Sequence, residues 1–215
     1  MILTPVTDER LGAVLTLFAA HLRERHAQAA FARIACTGHG RAGRSAAETH
    51  RLAARRLARR LGITSRDGAP PRNFGWDGRI MRSGTEAYVL LHEIAHWQMA
   101  GPRRRRAYEF GLGPGPETGH RAAAERATLL TGMAREREEA MASLLGILWE
   151  AELRQPALAS FLDQNWLEGA DRPGAVRHFE TTLRRLIRTG LVDLAGRPTS
   201  NDANRHGWAI REFLD

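Results

Sequence analysis

Two histidines four residues apart, His92 and His96, enclose a glutamate, Glu93, in the stretch LLHEIAHWQMAGPRRRR over 90–106. On an α-helix, side chains at i and i+4 project from one face, so both imidazoles can reach one metal ion while Glu93 lies beside them. Val89, Leu90, Leu91, Ile94, Ala95, Trp97 and Met99 make the segment densely apolar, which predicts that the histidines face the interior. Two protein ligands hold a divalent ion weakly, so a carboxylate or histidine from a later element is required.

The stretch REREEAMASLLGILWE over 135–150 offers Glu136, Glu138 and Glu139. Read as a helix, it places Met141, Leu144, Leu145 and Leu148 on one face, and Glu139 on another with Ala142, Ser143 and Gly146. A stripe of small residues lets a second helix approach closely. Glu139 is therefore expected as the third ligand, with Glu136, one turn earlier, standing behind it or substituting for it. His120, in a glycine-rich loop, is a weaker candidate. Two histidines and a carboxylate do not choose the metal. With zinc they describe a peptidase or related hydrolase, in which Glu93 takes a proton from the attacking water. With iron(II) they describe the facial set of oxygenases, which leaves positions open for oxygen and substrate. Met99 and Pro102 stand where the extended metzincin signature needs a glycine and a histidine, which removes that branch of the zinc reading.

The elements that must position these residues read as helices. Ser83 and Glu86 form a capping box pattern, predicting a helix that starts near Thr85 and stops at Gly101 and Pro102. Upstream, apolar spacing predicts one amphipathic helix over 8–35 (Leu11, Val14, Leu15, Phe18, Leu22) and another over 48–63 (Leu52, Leu57, Leu61), with a glycine-rich loop between them. Residues 64–79 read as a loop with room for a short extended piece, and 111–120 as a flexible segment. The pattern is helical over 121–153 with a break near Gly132, again over 172–190, and once more at the end of the chain. The expectation is a mainly α protein, a single helical domain built around the HExxH helix, with 1–70 as an N-terminal helical region and 71–215 as the metal-binding core.

A length of 215 residues with 43% hydrophobic residues is enough for an ordinary buried core. The single cysteine, Cys36, excludes an internal disulfide and a cysteine-rich zinc site, which fits a reducing cytosol. Neither a basic leader nor a run long enough to span a bilayer is evident, so a cytoplasmic protein without a membrane partner is expected. The net charge of +8 is carried by arginine alone and favours acidic partners. Arg51, Arg55, Arg56, Arg59 and Arg60 on the second helix could grip phosphate, which keeps a non-enzymatic nucleic-acid binder as a further class, although no interleaved aromatics support base stacking.

The motif and its flanks resemble the elongation factor P hydroxylase family. That family's hallmark runs HEI, a small residue, HW, two residues, AG and an arginine-rich turn leading to FG or YG, here HEIAHWQMAGPRRR followed by Phe110 and Gly111. Arg79 and Ile80 match its Arg-Ile pair thirteen residues before the first histidine. Glu136 and Glu139 fall on its acidic pair, and NWLEG at Asn165 to Gly169 and the helix RPGAVRHFETTLRRLIRTG resemble its later segments. The aromatic run that follows FG in that family is replaced here by LGPGPETGHR. The resemblance implies a metal-dependent monooxygenase, a non-haem iron hydroxylase acting on a modified lysine of an acidic translation factor, or on a related amine or amino-acid-like substrate. In that reading His92, His96 and Glu139 hold iron(II), molecular oxygen is the co-substrate, and Glu93 orients a ligand or relays a proton. Arg79 then meets a substrate carboxylate and Trp97 lines the pocket. A zinc-dependent hydrolase is the alternative.

Overall fold

Leu11 and Phe18 bury one side of α1 (Asp8–His21), and Ala27, Ala30, Phe31 and Ile34 bury one side of α2 (Arg25–Ala35). The computed structural model describes residues 6–40, 43–67, 75–115, 118–168 and 173–201. The single helix expected over 8–35 is thus two. Leu22 is extended (φ −67°, ψ 123°), and the freed backbone amides of Arg23 and Glu24 donate to Oε1 of Glu180 at 2.7 and 3.2 Å. A carboxylate from far along the chain caps the start of α2, as a local side chain would. The bend folds Phe18 onto Phe31, their ring centroids 4.9 Å apart.

Helix α3 (Arg44–Arg60) follows and buries Ala54, Leu57 and Ala58, leaving Leu52 exposed. Three two-residue strands come next: β1 (Ser65–Arg66), β2 (Gly75–Trp76) and β3 (Met81–Arg82). Their order is β1-β3-β2, with β1 parallel and β2 antiparallel to β3, and Trp76 pairs with Met81. Strands β1 and β2 fall within 64–79, where a short extended piece is expected, and β3, which joins them, lies just beyond it.

The motif helix is α4 (Ala87–Met99). The expected capping box does not form. Glu86 occupies the N-cap without a side-chain bond, and the Ser83 hydroxyl donates instead to Asp67 at 3.3 Å. After the stop come α5 (Pro102–Arg105), which places its proline in the first turn, and a 3-10 turn over Tyr108–Gly111. Helices α6 (Arg121–Arg126) and α7 (Gly132–Glu152) flank the expected break, where Gly132 adopts φ +57°. Helices α8 (Ala157–Asp163) and α9 (Pro173–Arg188) complete the set. The described residues are mainly α, as expected; the predicted terminal helix falls within 202–215, outside them.

Helices α4 and α7 pack together along their length, with α3 against α4 and α2, α8 and α9 against α7. One hydrophobic cluster runs through both regions that the sequence divides at residue 70. Phe18 meets Phe161 and Phe179 edge-on at 6.0 and 5.7 Å, so the N-terminal helices complete the core and do not form a separate layer. Among the described residues no helix is long and apolar enough to cross a membrane.

Candidate metal centre

The crossing of α4 and α7 decides the position of both histidines. A Cβ added to Gly146 of α7 would lie 3.2 Å from the backbone nitrogen of His92 and 3.3 Å from its Cα. Glycine there lets the two backbones meet, and Glu139, two turns earlier on α7, then faces the imidazole pair. The His92 and His96 Nε2 atoms are 3.0 Å apart, and Oε2 of Glu139 is 3.5 Å from the first and 3.3 Å from the second. Donors about 2.1 Å from one ion are separated by about 3.0 Å at right angles and about 3.4 Å in a tetrahedron, so this triangle has the dimensions of a coordination face. Among the described residues it is the one group of three or more such donors close enough to share an ion.

His96 is buried and held from both sides. Its Nδ1 faces Oε1 of Glu138 at 3.2 Å, so a proton on Nδ1 is donated there and Nε2 is left for the site. Glu138 is fixed in turn by Arg104, which bridges both carboxylate oxygens, with Nη1 at 2.5 Å from Oε2, and whose Nε donates to the Phe110 carbonyl at 2.9 Å. Burial alone would push the Glu138 carboxyl up, but His96 and Arg104 hold it below the ordinary carboxylate range. Burial likewise raises Glu139, and the hydrogen bonds and charges of His92 and His96 outweigh it and hold that carboxyl well below the usual range. For His96 burial opposes the charge, yet Glu138 and Glu139 together raise its pKa to about 10.

A cavity of about 470 Å³ opens onto this triangle, bordered also by Glu93, Glu109, Phe110, Arg135 and Gln164. Glu93 is buried, and its Oε2 has no hydrogen-bond partner among the described residues. Burial raises its pKa, and the charge of Glu139 adds to this against the opposing His96 and His92. Glu109 is raised to about 8, first by burial and then by Glu93, while a bond from the Trp76 backbone opposes. Glu109 and Phe110 are consecutive non-glycine residues in the left-handed region, at φ 45° and 51°. Such conformations cost roughly 1 kcal/mol or more each and persist only where surroundings enforce them. Here the Phe110 ring stacks at 5.9 Å on His96 and at 5.3 Å on Trp76. Gly75 makes the room, since a Cβ there would sit 2.6 Å from Oε1 of Glu109.

The structure therefore brings His92, Glu93, His96 and Glu139 to one cavity, and not the other expected residues. Glu136 is exposed; the residue one turn before Glu139 that borders the cavity is Arg135, whose Nε is 3.9 Å from Oε1 of Glu139. Arg79 is exposed in the turn after β2, and its backbone amide donates to Asp77 at 3.0 Å. Trp97 lies on another face of α4 under the Arg105 guanidinium, 3.6 Å from the ring centroid. Neither Arg79 nor Trp97 borders the cavity. His120 is exposed and approaches Tyr108 edge-on at 6.3 Å, outside the site. On α3, Arg51 and Arg55 are ion-paired to Glu48 and Asp67 at 2.6 and 2.5 Å, whereas Arg56, Arg59 and Arg60 are exposed. Sequence reasoning named Glu138 only as one of three glutamates on offer and gave it no role, and it missed Arg104 and Glu109. A signal for Glu138 existed: it lies three residues before Met141 and seven before Leu145, an acid on the apolar stripe of α7. The chain matches no protein-family model, no curated protein and no solved structure.

Proposed function

We propose that this protein is a metal-dependent enzyme in which His92, His96 and Glu139 hold one divalent ion, and that it is an iron(II) hydroxylase acting on an amine-bearing or amino-acid-like substrate. The observation that carries the metal reading is the convergence of three donor atoms from two helices, all within 4.8 Å of one another, on the wall of an open cavity. The choice of iron and of hydroxylation is supported by the resemblance of 92–106 and Phe110-Gly111 to elongation factor P hydroxylases. When bound, such an ion supplies open positions for activating oxygen. In the net reaction one oxygen atom enters a C–H bond, the other leaves as water, and two electrons come from a separate reductant. Glu138 and Arg104 orient His96; Phe110, backed by the stacked Trp76 ring, walls the site; and Glu93 and Glu109 present carboxyl groups that can bind a cationic substrate group or pass a proton. The charge of +8 suits an acidic protein partner such as a translation factor.

One observation favours a second reading, a zinc hydrolase: the Glu93 carboxyl, lacking a partner on Oε2, borders the same cavity as the triangle and is available to take a proton from water. Metal analysis of protein purified without added ions, joined to an oxygen-electrode assay with a chemical reductant, separates the two. We expect iron, oxygen uptake that His92→Ala abolishes, and no turnover under anaerobic conditions. Zinc with oxygen-independent hydrolysis, lost in Glu93→Gln, would replace the first reading by the second. Protein that retains neither metal after purification nor affinity for added metal would overturn both.

A further inference from the structure

Helix α9 turns Val176, Phe179, Leu183 and Leu186 inward, and its outward face carries Arg177, His178, Arg184, Arg185 and Arg188. No acid stands among them: the one glutamate of the helix, Glu180, is buried and caps α2. Arg184 is ion-paired to Glu24, whereas Arg177 and Arg185 enter no ion pair among the described residues. Burial, and then the charges of Arg137 on α7 and of Arg184 and Arg188, push the half-buried Arg185 guanidinium below its ordinary range. A guanidinium keeps its proton at any ordinary pH, so a counter-anion, and not deprotonation, relieves this crowding.

Two features select the kind of anion. Met133, 67% exposed, lies one turn before Arg137 on α7, so a bare thioether and a guanidinium share one stripe of that helix. Methionine and arginine are enriched where proteins meet, whereas a phosphate backbone has no use for a thioether, and no phenylalanine, tyrosine or tryptophan on the outward face of α9 offers bases a stacking platform. The face also leads to the metal cavity. The Trp166 ring stacks on His178 at 4.9 Å and its Nε1 donates to the Ser143 hydroxyl at 2.8 Å, which donates in turn, at 2.5 Å, to Oε1 of Gln164 on the cavity rim. A polypeptide held on α9 therefore lies beside an opening that admits a side chain. We propose that the arginine face of α9, with Met133 and Arg137 of α7, docks an acidic polypeptide segment that also carries apolar side chains. Docking at this face requires no metal and goes beyond the chemistry proposed above.

Fluorescence anisotropy of a labelled peptide of mixed glutamate and leucine, titrated with the full chain, reads the affinity. We expect saturable binding that weakens as salt rises, with weaker binding of duplex DNA and of the same peptide carrying glutamine in place of glutamate. Arg177→Gln, Arg185→Gln and Arg188→Gln combined should weaken binding of the acidic peptide about tenfold. Arg56→Gln, Arg59→Gln and Arg60→Gln combined remove the same charge from exposed positions on α3, and should weaken it less than about twofold. Met133→Ser, a single change at an exposed position, should weaken it about threefold and leave DNA binding unaltered. Chelator treatment should change none of these affinities, so a failure of the metal centre and a failure of docking are read apart. Absence of saturable binding, equal binding of the glutamine peptide, equal effects of the two arginine sets, tighter binding of DNA, affinity unaltered in Met133→Ser, or loss on chelation would each overturn the proposal.

Discussion

At the scale of single residues, the candidate centre depends on how His96 is held. Glu138 meets the imidazole on one side and the Arg104 guanidinium on the other, with side chains 5% and 12% exposed. Removing one partner of such a buried set leaves the other uncompensated. Glu138→Gln should therefore destabilise the fold by about 3 kcal/mol, read by urea denaturation. It should also weaken cobalt(II) or zinc binding about 10-fold or more, as loss of an orienting carboxylate typically does; an unchanged metal affinity would remove Glu138 from its positioning role. The pH dependence has a defined sign. In metal-stripped protein the His96 pKa is raised from 6.5 to about 10, so the protonated form is favoured by folding. Its contribution is complete below about pH 6.5 and is lost as pH rises toward 10. Urea midpoints of the stripped protein should fall over that interval, and less so in His96→Gln. Metal binding at pH 7 should release a proton from the same ring. His92, His96 and Glu139 were legible in the sequence because helical periodicity is local geometry. The roles of Glu138, Arg104 and Glu109 were not, although Glu138 stood out as an acid on the apolar stripe of α7, because those roles depend on a buried ion pair between separated elements and on two left-handed residues.

At the scale of elements, the decisive feature is the approach of α4 to α7, which the small residues Ala142, Ser143 and Gly146 foreshadow in the sequence. Alanine is favoured over glycine inside a helix by roughly 1 kcal/mol. At Gly146 the gain is opposed by crowding, since the new Cβ would meet the His92 backbone at 3.2 Å and a backbone cannot swing aside as a side chain can. Crowding should prevail: Gly146→Ala is expected to push α4 outward and lower metal affinity, and Gly146→Val to do so more severely with loss of stability. Metal titrations and thermal melts of both variants check this, and an alanine variant that is more stable with unchanged affinity would show that the helices have slack. The same dependence on distant partners explains which element boundaries the sequence concealed. Periodicity over 8–35 is continuous, and only Glu180 on α9 shows why the helix breaks after His21. Ser83 and Glu86 have the right types for a capping box, but Asp67 takes the Ser83 hydroxyl.

At the scale of the whole molecule, the question is whether 1–70 and 71–215 act as one cooperative unit. The sequence reads as an N-terminal helical region over 1–70 and a metal-binding core over 71–215, and Phe18 and Phe31 of the first join the same aromatic cluster as Phe161 and Phe179 of the second. Phe18 is fully buried, so Phe18→Ala should cost about 3–5 kcal/mol and lower Tm by about 10 °C in a chain of this size. Metal at a hundred times its Kd should stabilise the native state by about 2.7 kcal/mol and raise Tm by several degrees. If the chain unfolds as a unit, Phe18→Ala will show one transition at lower temperature that still shifts upward with metal, by the same increment as the unsubstituted protein. Far-ultraviolet circular dichroism, which reads the helices of both regions, and tryptophan fluorescence, which reads only 71–215 because 1–70 contains no tryptophan, should report coincident melts. Two separable transitions, with Phe18→Ala lowering one and metal raising only the other, would instead restore the division at residue 70, with the N-terminal helices docked on an independently stable metal-binding core.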